Sequence, residues 1–194
     1  MNILGLIGPA GCGKDTIANL LKNYGYERVA SADAMKEDAM RYFDIELSDL
    51  EYYKNAQLSI TAMTKMDESI TVGKLSIRHF LQTYGMDMRY RFGDDYWIDR
   101  SVSSKIEERG EDARIILTDV RFQNEIDYIK SRNGLVAYVK GRSKLKGEQK
   151  NHISESLANS SDIEDKVDFT IDNSGSLDDL EKQIKVFTDM RIIK

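Results

Sequence analysis

A glycine-rich segment close to the start of the chain, GPAGCGKDT, contains the residue types that bind phosphate groups. Glycines allow a backbone to curl until its N–H groups point inward, and Lys14 adds a positive charge that can bridge the β- and γ-phosphates of a nucleotide. The segment follows an apolar run and opens an apolar helical pattern, which is the context that makes such a motif informative. We therefore predict a nucleotide site in which Lys14 acts with the backbone of Gly8, Ala10, Gly11, Cys12 and Gly13.

A second candidate group lies where the apolar run of RIILTDVRFQNE ends, at Asp119 and Arg121. Ligands of parallel α/β sheets bind at the carboxyl ends of the strands. A phosphate-loop protein places there the acid that holds magnesium, directly or through water. Asp119 and Arg121 together suit a metal-bound triphosphate beside a second phosphate, and helix capping is the alternative interpretation of Asp119 alone.

Basic and aromatic residues form a third candidate group. Arg78 and Gln82 are four residues apart and therefore share one face of a predicted helix. Guanidinium groups bind phosphate through paired N–H donors, and an aromatic ring can stack on a base. With Arg89, Arg91 and Trp97, the group predicts a monophosphate pocket; the alternative places the arginines at the surface and Trp97 in the core.

Five short apolar runs are predicted to be the strands that position these groups. Several are nearly continuous rather than alternating, which is typical of parallel strands covered on both faces. Strands that alternate with helices indicate a parallel sheet with right-handed crossovers. The predicted strands are Asn2–Ile7, Glu27–Ser31, Ala113–Thr118, Leu135–Lys140 and Val167–Ile171.

Four helices are predicted from apolar spacing and end signals. The first follows the glycines at Asp15–Asn23, and two others cover SIRHFLQTY and YWIDRSVSSKIEERG, the latter ending at Gly110. The last helix begins at Ser176, with Asp179 placed for a capping box.

Two long intervals between strands predict insertions into a single domain, because a crossover needs far fewer residues. We predict a mostly helical insertion at residues 34–111 and a hydrophilic insertion at residues 141–164. The remaining residues, 1–33, 112–140 and 165–194, would form the core of the domain. The second insertion opens with KGRSKLKGEQK, in which Arg142 is one of five basic residues against one acid. It reads as a solvated loop, or as a cationic lid if the phosphate site is real.

The charge and composition of the chain argue against some classes of protein. A net charge of −5 argues against a protein that wraps nucleic acid, and no apolar run approaches the ~20 residues that span a bilayer. Cys12 is the only cysteine, so no internal disulfide can form and a cytoplasmic protein is expected. Neither a monomer nor a homodimer is indicated by these numbers.

The segments GPAGCGKDT, RHFLQTYGMDMRYRFGDDYW, TDVRFQNE and HISE resemble, in this order, the motifs of the bacteriophage-type deoxynucleoside monophosphate kinase family. The tail VDFTIDNSGSLDDLEKQI is similar to the end of that family and of its relative, dephospho-coenzyme A kinase. The resemblance implies an α/β P-loop kinase fold, a five-stranded parallel sheet of order 2-3-1-4-5 flanked by helices. It also implies a monophosphate-binding insertion, a lid and, for a phage-encoded member, the host cytoplasm.

The resemblance also implies roles for individual residues. Lys14, Asp15 and Thr16 would handle the phosphates of ATP and Mg²⁺, although Asp15 stands where phosphate loops usually carry a magnesium-binding hydroxyl. We expect Asp15 to contact the water shell of the metal or to orient Lys14, with Asp119 as the other metal residue. Asp119 and Arg121 would lie between donor and acceptor, and the deoxynucleotide would be held by Asp33, Lys36, Arg78, Gln82, Arg89 or Arg91, Trp97, Asn124 and Glu125.

The leading hypothesis is transfer of the γ-phosphoryl group of ATP to a deoxynucleoside monophosphate. The acceptor phosphate is already anionic because its second pKa is about 6, so the reaction needs charge neutralisation more than a base; Arg142 of the lid would assist. An alcohol acceptor, as in dephospho-coenzyme A kinase, is the alternative, with Asp33 as its base. A nucleotide-hydrolysing switch is a third hypothesis, and the accepted base stays open.

Overall fold

The computed structural model describes residues 2–52, 57–62, 71–141, 157–158, 160–190 and 192–193, and for 51–52, 57–62 and 71–77 it describes the backbone only. Contacts between Cα atoms divide the chain into two compact units. The core unit consists of Met1–Ser31 and Ile98–Lys194, and the inserted unit of Ala32–Trp97.

The core unit contains a five-stranded parallel sheet. Its strands lie in the order β2-β5-β1-β6-β7, which is the predicted order 2-3-1-4-5 once the two strands of the inserted unit are left out of the count. The α/β prediction and the strand order are therefore confirmed. The strands are β1 Asn2–Ile7, β2 Glu27–Val29, β5 Arg114–Leu117, β6 Leu135–Lys140 and β7 Phe169–Asp172.

Both faces of this sheet are covered, as the continuous apolar runs predict. Successive side chains of a strand point to opposite faces, so Ile3 and Ile7 of β1 enter one core while Leu4 and Leu6 enter the other. Burial on both sides excludes water from the backbone hydrogen bonds of the central strands and holds their carboxyl ends in place.

Five α-helices and one 3₁₀ turn of the described residues belong to the core unit, counting α5, which begins just before it. The expected helix ends are present: Gly110 follows α5 with a φ of 81°, and Ser176 and Asp179 form a capping box at the start of the C-terminal helix. In the core unit the helices are α1 Lys14–Leu21, α5 Tyr96–Arg109 (from Ile98 onward), α6 Gln123–Ser131, Ile163–Lys166 and Leu177–Asp189, with a 3₁₀ turn at Lys22–Tyr24.

The inserted unit contains the helices expected from the sequence and also a hairpin that was not expected. It contains an antiparallel hairpin of β3 Gln57–Ala62 and β4 Thr71–Ser76. Its small core is formed by Ala39 and Leu50, against which Phe43 and Phe80 pack. Its helices are α2 Ser31–Phe43, which begins in the core unit, α3 Leu47–Tyr52 and α4 Ile77–Phe92.

The inserted unit is also shorter than the predicted insertion of 34–111. Ile98 and Val102 of α5 are buried in the core unit, with 1% and 0% of their surface exposed. Their fourfold spacing identified the helix, but spacing alone did not show which core it joins. Within the described residues, helices long and apolar enough to cross a membrane are absent.

Candidate functional site

The glycine-rich loop joins β1 to α1 at the carboxyl end of the central strand. Gly11 and Gly13 have φ values of 78° and 105°, in the left-handed region that favours glycine. A Cβ on Gly8 would lie 2.6 Å from the Val139 carbonyl oxygen and 2.8 Å from the Cys12 sulfur. The loop therefore has the tight backbone that a phosphate-binding curl requires, and it leads into the N-terminus of an eight-residue helix.

Lys14 lies across this loop. Its Nζ donates to the carbonyl oxygens of Gly8, at 2.6 Å, and of Pro9, at 3.0 Å. The Cys12 sulfur is 3.7 Å from the same nitrogen and is buried, and burial raises the pKa of the thiol although the ammonium opposes the effect. Cys12 is therefore a neutral part of the loop wall, whereas the Lys14 ammonium is held against the loop by two backbone carbonyl oxygens.

Asp15 makes an ion pair that the sequence did not indicate. Its Oδ1 accepts a hydrogen bond from Nε of Arg28, on β2, at 2.8 Å, while 73% of its side-chain surface is exposed. Thr16 is exposed beside it in the first turn of α1. The carboxylate after the lysine thus has a positive partner, which reduces its repulsion of a phosphate group.

Asp119 follows β5, the strand next to β1, so it lies at the same edge of the sheet as the loop. Its Oδ1 accepts a hydrogen bond from the backbone N–H of Ser31 at 2.9 Å, at the start of α2. One carboxylate oxygen of Asp119 therefore caps a helix, which was the alternative interpretation of this residue. A carboxylate can accept about four hydrogen bonds, so capping α2 is compatible with contact to a hydrated metal ion.

Glu125 has a different role from the substrate contact expected for it. Only 4% of its surface is exposed, and its Oε2 accepts from the backbone N–H of Arg121, at 2.6 Å, and of Phe122, at 3.1 Å. These bonds cap the N-terminus of α6, where a negative charge is favourable. Glu125 therefore holds the backbone that carries Arg121, and Arg121 and Asn124 are half-buried nearby in sequence.

In the inserted unit, the two candidate arginines of α4 differ in environment. Arg89 has 9% of its side-chain surface exposed, with Asp94 3.5 Å away. Arg91 is 64% exposed and pairs with Asp87 one turn earlier at 2.9 Å. Arg89 is the more fixed of the two, because burial restricts its rotamers.

Trp97 does not have the base-stacking role that was expected from the sequence. It has 2% of its surface exposed, and its indole Nε1 donates to the Gly85 carbonyl oxygen at 2.9 Å. The ring packs edge-on against Tyr84 and Tyr96, with centroids 5.7 and 4.8 Å away. A ring enclosed in this way offers no face to a base, so the core interpretation of Trp97 is the right one.

The remaining candidates of the inserted unit lie on α2 and α4. Lys36 and Asp33 approach one another on α2, with 3.5 Å between Nζ and Oδ1. Arg78 and Gln82 are half-buried on α4 at the predicted spacing. Arg142 and most of the expected lid fall outside the described residues.

Two residues at the loop were missed by sequence reasoning. Arg28 stands in a three-residue strand, and Asn173 follows the last strand, so neither has a local signal of function. The Asn173 side chain donates from Nδ2 to the Cys12 carbonyl oxygen at 2.8 Å. Among the described residues, no group of three or more His, Cys, Asp or Glu side chains is arranged to hold a metal ion.

Comparisons with known proteins identify a family model and similar folds. A family model described as deoxynucleotide monophosphate kinase matches residues 33–184. Among solved structures, a dephospho-CoA kinase from Campylobacter jejuni is similar, with 16% identity, 98% coverage of each chain and a TM-score of 0.54. TT1252 from Thermus thermophilus has 21% identity, coverage of 97% of this chain and 96% of its own, and a TM-score of 0.51. None of the curated proteins matches significantly.

Glu125 provides a test of the geometry around Arg121. Glu125→Ala would leave two backbone N–H groups without their buried acceptor, so we expect the free energy of unfolding to fall by about 1–3 kcal/mol. Glu125→Gln keeps an acceptor oxygen and should recover part of that loss. Urea denaturation measures both changes. The matched control is Asp127→Ala on the exposed face of α6, expected to cost about 0.5 kcal/mol or less; equal losses at 125 and 127 would contradict the assignment.

Proposed function

The chain belongs to the deoxynucleotide monophosphate kinase family, and we propose that it transfers the γ-phosphoryl group of ATP to a deoxynucleoside 5′-monophosphate. Family membership makes the protein a nucleotide kinase and thus a phosphotransferase. The match begins at residue 33, so the glycine-rich loop at Gly8–Lys14 supports the proposal independently. That loop, with its left-handed glycines and Lys14 held across it, is the observation that carries the use of a nucleoside triphosphate.

The reaction requires two polyanions to meet in line. The attacking phosphate oxygen is anionic near neutral pH, so no side chain has to remove a proton from it. Lys14 and Arg121 would neutralise charge on the donor and on the transferred group, and the backbone N–H groups of the loop would hold the β-phosphate. Mg²⁺ would supply further neutralisation between the phosphates. Asp119, and Asp15 through water, would hold it.

The acceptor site is proposed in the inserted unit. Arg78 and Gln82 share a face of α4, and Arg89 is a nearly buried guanidinium, which is suited to a fixed phosphate contact. Asp33 and Lys36 would contact the sugar or the phosphate from α2. A chain with one cysteine suits the reducing cytoplasm in which nucleotides are made.

The proposed reaction is tested by ADP release from ATP and Mg²⁺ with a panel of acceptors. We expect release to be stimulated by one or more of dGMP, dTMP, dCMP, hydroxymethylated dCMP and dAMP. The matched ribonucleotides report sugar selectivity, and dephospho-coenzyme A reports an alcohol acceptor. Stimulation by dephospho-coenzyme A alone, or by no acceptor, would refute the proposal.

Arg89 and Arg91 can be distinguished by substitutions that keep the charge. Arg89→Lys replaces a fixed planar fork by a single ammonium, so we expect the KM for the deoxynucleotide to rise about tenfold or more while the KM for ATP changes little. Arg91→Lys is the matched control and should leave both values within about twofold. Steady-state kinetics measure both, and a larger effect at Arg91 would reverse the assignment.

Asp15 is tested by the magnesium dependence of the reaction. Asp15→Asn removes a charge from the water shell of the metal, so the Mg²⁺ concentration for half-maximal rate should rise about tenfold with the acceptor KM unchanged. Arg28→Ala removes the ion-pair partner but leaves the carboxylate, and it should shift the Mg²⁺ dependence much less. If Arg28→Ala reproduced the whole effect, the ion pair rather than the metal would explain Asp15.

A further inference from the structure

We propose that Asn173 is a positioning residue that holds the phosphate loop in its anion-binding conformation. This inference rests on the proposed function, since it assigns to the loop the phosphates of ATP. Asn173 directly follows β7, and its Nδ2 donates to the Cys12 carbonyl oxygen at 2.8 Å. It acts on a ligand through the loop backbone.

Because the peptide unit is planar, the hydrogen bond from Asn173 to the Cys12 oxygen also fixes the direction of the Gly13 N–H. The Cys12 carbonyl and the Gly13 N–H belong to one peptide plane and, in the trans form, point to opposite sides of the chain. Cis peptide bonds are absent from the described residues. Holding the Cys12 oxygen toward Asn173 therefore turns the Gly13 N–H to the other side, where the loop would receive a phosphate group.

Steric contact makes the arrangement specific for glycine at position 13. A Cβ on Gly13 would overlap the side-chain nitrogen of Asn173. Gly13 also has a φ of 105°, so a side chain there would be strained in any case. A Cβ on Gly141, which follows β6, would lie 2.8 Å from the same Cys12 oxygen. The Cys12 carbonyl is thus enclosed between the ends of β6 and β7.

Asn173 is itself held by elements of the sheet. Its backbone N–H donates to the carbonyl oxygen of Lys140, the last residue of β6, at 2.7 Å. The residue before it is fixed from the C-terminal helix, because the Asp172 N–H donates to Oε1 of Gln183 at 2.9 Å. A donor supported in this way loses little freedom when the loop binds a ligand.

The side-chain amide of Asn173 is neutral, which suits a position next to a loop that would bind phosphates. It donates a hydrogen bond while staying neutral at all ordinary pH values, so it leaves the potential at the phosphates unchanged. An aspartate of the same shape would set a carboxylate oxygen against the Cys12 carbonyl oxygen and add a negative charge beside the phosphates. The chemistry of the position therefore requires a neutral donor.

The test is calorimetric binding of ATP and Mg²⁺ without an acceptor, combined with steady-state kinetics. Asn173→Ala should weaken ATP binding about tenfold, the equivalent of one hydrogen bond, and Asn173→Asp should weaken it further. The KM for the deoxynucleotide should stay within about twofold for both variants. Asn173→Asp keeps the volume of the side chain, so it tests the idea even if the alanine variant folds poorly.

Gln183→Ala is a graded control, because it removes one support of the same turn while the Asn173 amide and its bond to the loop stay in place. We expect it to weaken ATP binding by about threefold or less, and thus less than Asn173→Ala does. Equal ATP affinity in the wild type and both Asn173 variants, or weakening by Gln183→Ala as large as that by Asn173→Ala, would overturn the inference.

The outcomes also separate this inference from the proposed function. A wild-type protein that binds ATP more tightly than the Asn173 variants, but phosphorylates no deoxynucleotide, would refute the proposed function and support the role of Asn173. A wild-type protein that phosphorylates deoxynucleotides, with variants that bind ATP equally well, would refute the role of Asn173 alone. A wild-type protein that binds no ATP would refute both.

Discussion

The close packing of backbone around the phosphate loop is the constraint on which the site depends. At Gly8, Gly13 and Gly141 an added Cβ would meet a neighbouring atom at less than a normal contact distance. A loop without side chains at these positions can curl tightly and keep its N–H groups directed inward. The arrangement needs the central strands to be held firmly, which burial on both faces of the sheet provides.

Three acids of the core unit each have a compensating positive partner. Asp15 pairs with Arg28, Asp119 caps the N-terminus of α2, and Glu125 caps that of α6. A site for two polyanions with uncompensated carboxylates would repel its substrates, because Coulomb energies are large at short range. Helix N-termini carry about half a positive charge and so serve as partners without adding a side chain. A chain of net charge −5 can thus carry acids in the core unit whose charges are partly compensated.

Sequence reasoning succeeded where the signal is local. Apolar runs located all five core strands, and the glycine pattern located the loop, because both depend on neighbouring residues. It failed where the answer depends on tertiary contacts. In the hairpin β3–β4, QLSITA alternates polar and apolar residues but its partner TVGKLS does not. The sequence also could not decide whether Trp97 faces a ligand or the core, and it did not indicate the two backbone partners of Glu125.

Two hydrogen bonds of the site join residues that are far apart in the sequence. Ser31 and Asp119 are 88 residues apart, and Cys12 and Asn173 are 161 apart. The motif at residues 8–14 is therefore contiguous in sequence, but its conformation is held by residues from the opposite end of the chain. Because Asn173 is anchored on Lys140, its support of Cys12 requires β6 and β7 to be in the sheet. The phosphate loop is thus a property of the completed sheet, and the glycine motif alone is insufficient for it.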